Sequence, residues 1–257
     1  MNTDRTPTLR HEFVAMMFAV AIGEVGVQTA SLVQAHHWQH FLPAYGHLFL
    51  ATMVIAASWV GWTRSPSPGA KEDIESVVGR EFVVLLVDVF LVVVYFILVK
   101  SVDVREGDPL ELVASAHPET FWILVIFGAY IFWDVTTKGV DYVNNRKTLS
   151  LAKWAREYGV RIIPTSACFV FLYSVRNYFY AADAPHVLTA DFALVCLVLL
   201  FRTLKLAVTP DVKRKWAITC SVLLSICLCL GTMWTVYFWP LPLPNSIVEQ
   251  IQTTPAE

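Results

Sequence analysis

Glu24, Gln28, Asp88, Asp134, Arg176, Asp191, Arg202 and Lys205 all lie in stretches of this chain that are otherwise strongly apolar. An ionisable side chain in hydrocarbon costs about 2.5 to 3.5 kcal/mol on insertion scales, so each of these groups calls for a partner or a water-filled path. Acids and bases at matching depth can do one of two things: pin neighbouring helices together, or line a route for protons or small cations. A second group, His36, His37 and His40 with His47, is the only concentration of imidazoles. It offers a weaker candidate for zinc or copper, because a metal site needs three or four ligands held in geometry. It suits titration as an external pH sensor about as well.

Other chemistry is missing from the sequence. There is no G-x-S-x-G, no H-E-x-x-H, no phosphate-binding loop and no dinucleotide fingerprint, so neither an enzyme nor a bound cofactor is expected. The aromatic run Phe121, Trp122, Phe127, Tyr130, Phe132 and Trp133 reads as packing and interfacial belt.

The elements that must position these groups follow from composition. Of 257 residues, 56% are hydrophobic and only 16% charged, and the mean hydropathy is +0.55. That balance excludes an ordinary water-soluble fold. The formal net charge of -2 gives no electrostatic footprint for nucleic acid, which is not expected as a partner. A hydrocarbon core of about 30 Å takes roughly 20 helical residues. Seven segments meet that length: 13–33, 41–62, 82–99, 121–137, 160–180, 187–208 and 216–239. The fifth has the softest boundary, since Pro164 is also suited to a first helical turn, which would leave Arg161 outside. The fold expected is therefore all-α, a single seven-helix transmembrane bundle.

Basic residues set the orientation, because Lys and Arg are retained on the cytoplasmic side. Arg5 and Arg10 precede the first span. Arg64, Lys71 and Arg80 separate the second from the third, and Lys138, Arg146, Lys147, Lys153 and Arg156 the fourth from the fifth. Lys213, Arg214 and Lys215 precede the seventh, whereas the opposite side holds only Lys100 and Arg105. The N-terminus is thus expected inside and the C-terminus outside, in a bacterial inner membrane. Trp59, Trp62, Trp122, Trp133, Trp216 and Trp239 fall at span ends, as indole rings favour. The first segment contains Glu24 and lacks a cleavage site, so it reads as a retained span. This orientation is the reverse of the rhodopsin type, and the seventh span has no lysine to hold retinal.

Depth along the spans sorts the charges into tiers. Glu24 is eleven residues from Phe13, about 16 Å deep and near the midplane. A lone carboxyl there stays neutral unless a cation, water or basic residue reaches it. Gln28 and Ser31 extend its stripe, and Ala19, Gly23, Gly26 and Ala30 form a small-residue face suited to helix contact, hence to a homo-oligomer. Asp88 and Arg202 share a level toward the cytoplasm, as do Asp134 and Lys205. Arg176, Asp191 and His47 lie toward the outside, with Ser166, Tyr173, Asn177 and Tyr180 along the fifth span.

The connection 138–159, with Leu149, Leu151, Trp154 and Tyr158 among basic residues, reads as a cytoplasmic loop or an interfacial helix on anionic headgroups. Cys168, Cys196, Cys220, Cys227 and Cys229 all fall in spans and read as packing. No tandem repeat of 20 to 50 residues is evident. Two functions suit this sequence. The first is a small channel or ion-translocating protein with Glu24 as its midplane site. The second is a non-transporting sensor, effector or anchor that works with a soluble partner docked on the basic inner loops, for example in a bacterial stress or antiviral defence system.

Overall fold

The computed structural model describes residues 9–34, 41–63, 80–102, 104–105, 111–112, 115–144, 151–180, 184–208 and 214–237. They form seven helices: α1 (Leu9–Gln34), α2 (Leu42–Thr63), α3 (Arg80–Lys100), α4 (His117–Asn144), α5 (Leu151–Tyr180), α6 (Ala184–Val208) and α7 (Arg214–Tyr237). Between α3 and α4, β1 (Val104–Arg105) and β2 (Glu111–Leu112) make a two-residue antiparallel ladder. Six of the helices, all but α5, are long and apolar enough to cross a membrane. This is a multi-pass integral membrane protein.

Local sequence explains several helix starts. Pro43, Pro118 and Pro185 are each the second residue of their helix, where a missing N–H is harmless and φ is already helical. Pro164 does not start α5, as its first-turn alternative had it, but lies inside that helix. A proline there removes one ladder bond, which a packed membrane helix tolerates because neighbours satisfy the freed groups. Helix α5 begins at Leu151 and α4 continues to Asn144, so the connection between them is shorter than the 138–159 loop read from the sequence. Polar residues such as Lys138, Lys153 and Arg156 continue helical turns past the apolar limits that marked the spans.

Helices α1, α2, α6, α5, α4 and α3 contact one another in that order around a ring, with α7 docked on the outside of α6. The register is regular. His47 meets Glu119 and Ser58 meets Tyr130, both across 72 residues, so α2 and α4 run parallel. Arg202 meets Tyr130, again across 72 residues, so α6 runs parallel to both. Helix α3 is antiparallel to α4, with Asp88 on Trp133 and Tyr95 on Tyr130. Helix α5 is also antiparallel to α4: the Tyr180 ring packs tilted against His117, and Thr165 bonds Asp134.

Close approach of α2 to α6 depends on two glycines. A Cβ at Gly46 would lie 2.7 Å from Asp191 Oδ2 and 2.9 Å from Leu188 Cδ2, and one at Gly61 would fall inside the Arg202 guanidinium. Each notch therefore receives a charged side chain of α6. Helix α4 stands further off, and Tyr95, Phe127 and Phe201, all fully buried, fill the space between. By contrast Ala19, Gly23, Gly26 and Ala30 of α1 are exposed, with open space beside both glycines.

Candidate functional site

The buried polar side chains of α2, α3, α4 and α6 gather at three levels. At the first, termed outer after the orientation expected from the basic residues, His47 and Glu119 are both 0% exposed, with Nδ1 and Oε1 2.7 Å apart. The other ring nitrogen, Nε2, donates to the Leu98 carbonyl of α3 at 2.6 Å, which also accepts from Ser101 Oγ at 2.9 Å. Asp191, buried in α6, is close enough for its charge to act on His47. Among the described residues, neither Glu119 Oε2 nor the hydroxyl of buried Thr120 has a hydrogen-bond partner.

The middle level centres on the Tyr130 hydroxyl. It contacts Ser58 Oγ, accepts from the Tyr95 hydroxyl at 3.1 Å and accepts from Arg202 Nη2 at 3.3 Å. The Arg202 guanidinium also lies 5.1 Å from the Tyr130 ring and 4.8 Å from Phe201, while those rings stack at 5.3 Å. Cation–π contact of this kind is how a desolvated cation is held without a carboxylate.

At the inner level, Trp133 Nε1 donates to Asp88 at 2.7 Å. Lys205 Nζ pairs with Asp134 Oδ2 at 2.6 Å, which Thr165 of α5 also reaches at 3.2 Å. The expected meeting of Asp134 with Lys205 is thus present, whereas Asp88 and Arg202, expected at one level, have different partners.

Between the outer and middle levels lies an apolar layer. His47 and Ser58, Glu119 and Tyr130, and Asp191 and Arg202 are each eleven residues apart, about 16 Å or three turns along one helix face. Ala51, Val54, Ile123, Phe127, Leu194 and Val198 are buried within that interval. No polar side chain of these three faces interrupts it.

The remaining candidates lie elsewhere. Glu24 is on α1, beside the ring's centre, and pairs with Lys100 at 2.6 Å, with the two side chains 15% and 47% exposed. Gln28 donates to the same carboxylate at 2.8 Å. The basic residue that a deep carboxyl requires is therefore supplied from the outer end of α3. Arg176 folds along its own helix, its guanidinium 3.7 Å from the Tyr173 ring and bonded to the Tyr173 carbonyl. His36, His37 and His40 fall outside the described residues, and His47 has both ring nitrogens bonded to protein. Among the described residues, no group of three or more His, Cys, Asp or Glu side chains is placed to hold a metal.

Glu119, Tyr130, Tyr95, Ser58, Trp133 and Thr165 are site residues that depth alone did not single out. Glu119 sits just outside the span drawn from hydropathy, and Tyr130 and Trp133 look like belt aromatics. For Ser58, Glu119 and Tyr130 the signal is arithmetic: polar residues recur eleven apart within a helix and 72 apart between parallel helices, a series that leaves out Tyr95, Trp133 and Thr165.

These observations define a polytopic bundle with an internal polar core. Comparison with known proteins adds no relative: no family model, no curated protein and no solved structure matches this chain.

Proposed function

We propose that the protein crosses the membrane seven times, with the N-terminus in the cytoplasm, and that α2, α3, α4 and α6 form a gated path for protons or small cations. Antiparallel packing of α5 on α4, register-matched from His117–Tyr180 to Asp134–Thr165, supports α5 as the seventh span. The bias of Lys and Arg supports the orientation.

One observation supports the transport reading: His47, Glu119 and Asp191 at one level and Ser58, Tyr130 and Arg202 at the next are separated by about three turns in which the side chains on the same helix faces are buried and apolar. Intramembrane charges that face a bundle interior mark ion pathways by default, and an apolar constriction between polar chambers is a gate that works by dewetting. The path runs through His47, Glu119 and Asp191, then Tyr130 and Arg202, then Asp134 and Lys205. Glu24 belongs to the α1–α3 contact beside it.

The test is flux into proteoliposomes of the purified full chain. A pH-sensitive dye inside, with a potassium diffusion potential imposed, reads proton entry, and matched ion-sensitive dyes read sodium and potassium. Phe127→Ser wets the layer and raises flux at least about tenfold. If wild type and Phe127→Ser both leak no faster than empty liposomes, the transport reading fails.

The same unbroken apolar layer favours a second reading, in which a change of charge at the outer level shifts helices and signals to a soluble partner inside. Absence of flux, together with loss of function on neutralising Lys147, Lys153 and Arg156, supports that reading.

A further inference from the structure

The outer level shows which ion its chemistry accepts. Both His47 ring nitrogens face oxygen atoms, Glu119 Oε1 at 2.7 Å and the Leu98 carbonyl at 2.6 Å. A carbonyl only accepts, so Nε2 carries a proton, and a second proton lies between Nδ1 and Oε1 whichever atom holds it. The other carboxylate oxygen, Glu119 Oε2, is buried without a hydrogen-bond partner among the described residues, as is the neighbouring Thr120 hydroxyl. A buried carboxylate oxygen left bare in a membrane is an acceptor waiting for a donor.

Space decides against a metal cation. No atom fits between Nδ1 and Oε1 at 2.7 Å, and at Gly46 even a methyl group would collide with the Asp191 carboxylate. Hard cations take six or more oxygens at about 2.3 to 2.6 Å, or keep their waters. A proton needs one lone pair. With the shared proton on Nδ1, addition of a further proton to Oε2 turns the Glu119 carboxylate into a carboxylic acid beside an imidazolium and leaves both His47 bonds intact, since Oε1 still accepts.

We infer that the ion this protein takes up is the proton, received from the outer side on Glu119 within the His47–Glu119–Asp191 group. This deepens, and rests on, the transport reading by naming its substrate. Glu119 is the third residue of α4, about 3 Å of helix rise from its outer end, so the access route is short. The charges facing His47 are Glu119 from α4 and Asp191 from α6. Helices α1 and α3 bring Glu24 and Lys100, already paired with each other. The outer ends of α4 and α6 add His117, packed against Tyr180, and His186.

The test uses the full chain in nanodiscs and in proteoliposomes. As external pH is lowered, a buried carboxylic-acid band grows in the infrared spectrum. That band is missing in Glu119→Gln and retained, shifted, in Glu119→Asp. Proton uptake falls at least about tenfold in Glu119→Gln and is unchanged when sodium and potassium are replaced by choline. Should Glu119→Gln fail to fold, the shifted band of Glu119→Asp supplies the same assignment. A spectrum without a titrating acid band overturns the inference, and so does flux that needs sodium or potassium, which leaves transport standing. A titrating band with no flux of any ion keeps the proton site and removes transport.

Discussion

Replacing Glu119 with leucine leaves His47 buried at 0% exposure with its Nδ1 facing no acceptor, and replacing His47 with leucine leaves the Glu119 carboxylate equally stranded. Breaking one side of a buried, hydrogen-bonded charge pair costs about 3 to 5 kcal/mol. Removing both partners is different. The Leu98 carbonyl loses His47 but keeps Ser101 Oγ at 2.9 Å, so the double leucine variant strands none of the groups hydrogen-bonded to this pair. It is expected to cost no more than either single change, which gives a coupling energy of about 3 kcal/mol, the upper end for residues in contact. That is more than about a hundredfold in the unfolding equilibrium. Reversible unfolding in mixed micelles or bicelles of wild type, both single variants and the double variant measures the cycle. If the double variant costs the sum of the singles, the two side chains are energetically independent, and the argument built on their shared proton fails.

Lys205→Met strands the Asp134 carboxylate with Thr165 as its described hydrogen-bond partner and is expected to destabilise by about 3 kcal/mol, with Asp134→Asn in the same background recovering most of the loss. Tyr130→Phe removes the hydroxyl that Tyr95 and Arg202 share, but Ser58 keeps the Val54 carbonyl at 2.6 Å. A loss of about 1 to 2 kcal/mol follows, read in the same unfolding assay. Gly61→Ala forces the Arg202 guanidinium out of its notch and costs about 1 to 3 kcal/mol; combining it with Arg202→Met abolishes most of that penalty. Glu24→Gln breaks a pair that is open to its surroundings, with Lys100 47% exposed, and shifts stability by less than about 1 kcal/mol.

Hydropathy made the helices legible because a bilayer demands long apolar runs, and six of the seven are long and apolar enough to span. Helix α5 is the instructive exception. Lys153, Arg156 and Arg161 occupy its first turns, and Pro164 looks like a start signal, so the sequence shows a later beginning than Leu151. Depth counting brought Asp134 to Lys205, since each lies three residues inside the end drawn for its span, 137 and 208. It was less informative for Glu24. Depth measured along one helix says nothing of how far a neighbouring helix projects, and Lys100 reaches this carboxylate from the outer end of α3. Glu119 was hidden by its place beyond an aromatic run, and Tyr130 by its type. A tyrosine at an interface and a tyrosine linking three helices have the same letter, and only the rotation of α4 against its neighbours distinguishes them.

The 72-residue spacing has a consequence for biogenesis. In the proposed topology α2, α4 and α6 each arrive with the hairpin they begin, so His47 enters the bilayer well before Glu119 is synthesised, and Glu119 before Asp191. At about 5 to 20 residues per second, 72 residues correspond to roughly 4 to 14 s. During each interval the newly inserted hairpin holds an unmatched imidazole or carboxyl in lipid, and the nascent chain depends on the insertion machinery or on water at the headgroups to shelter it. Slowing translation between α2 and α4 should therefore lower the yield of folded protein more than the same pause placed after α6.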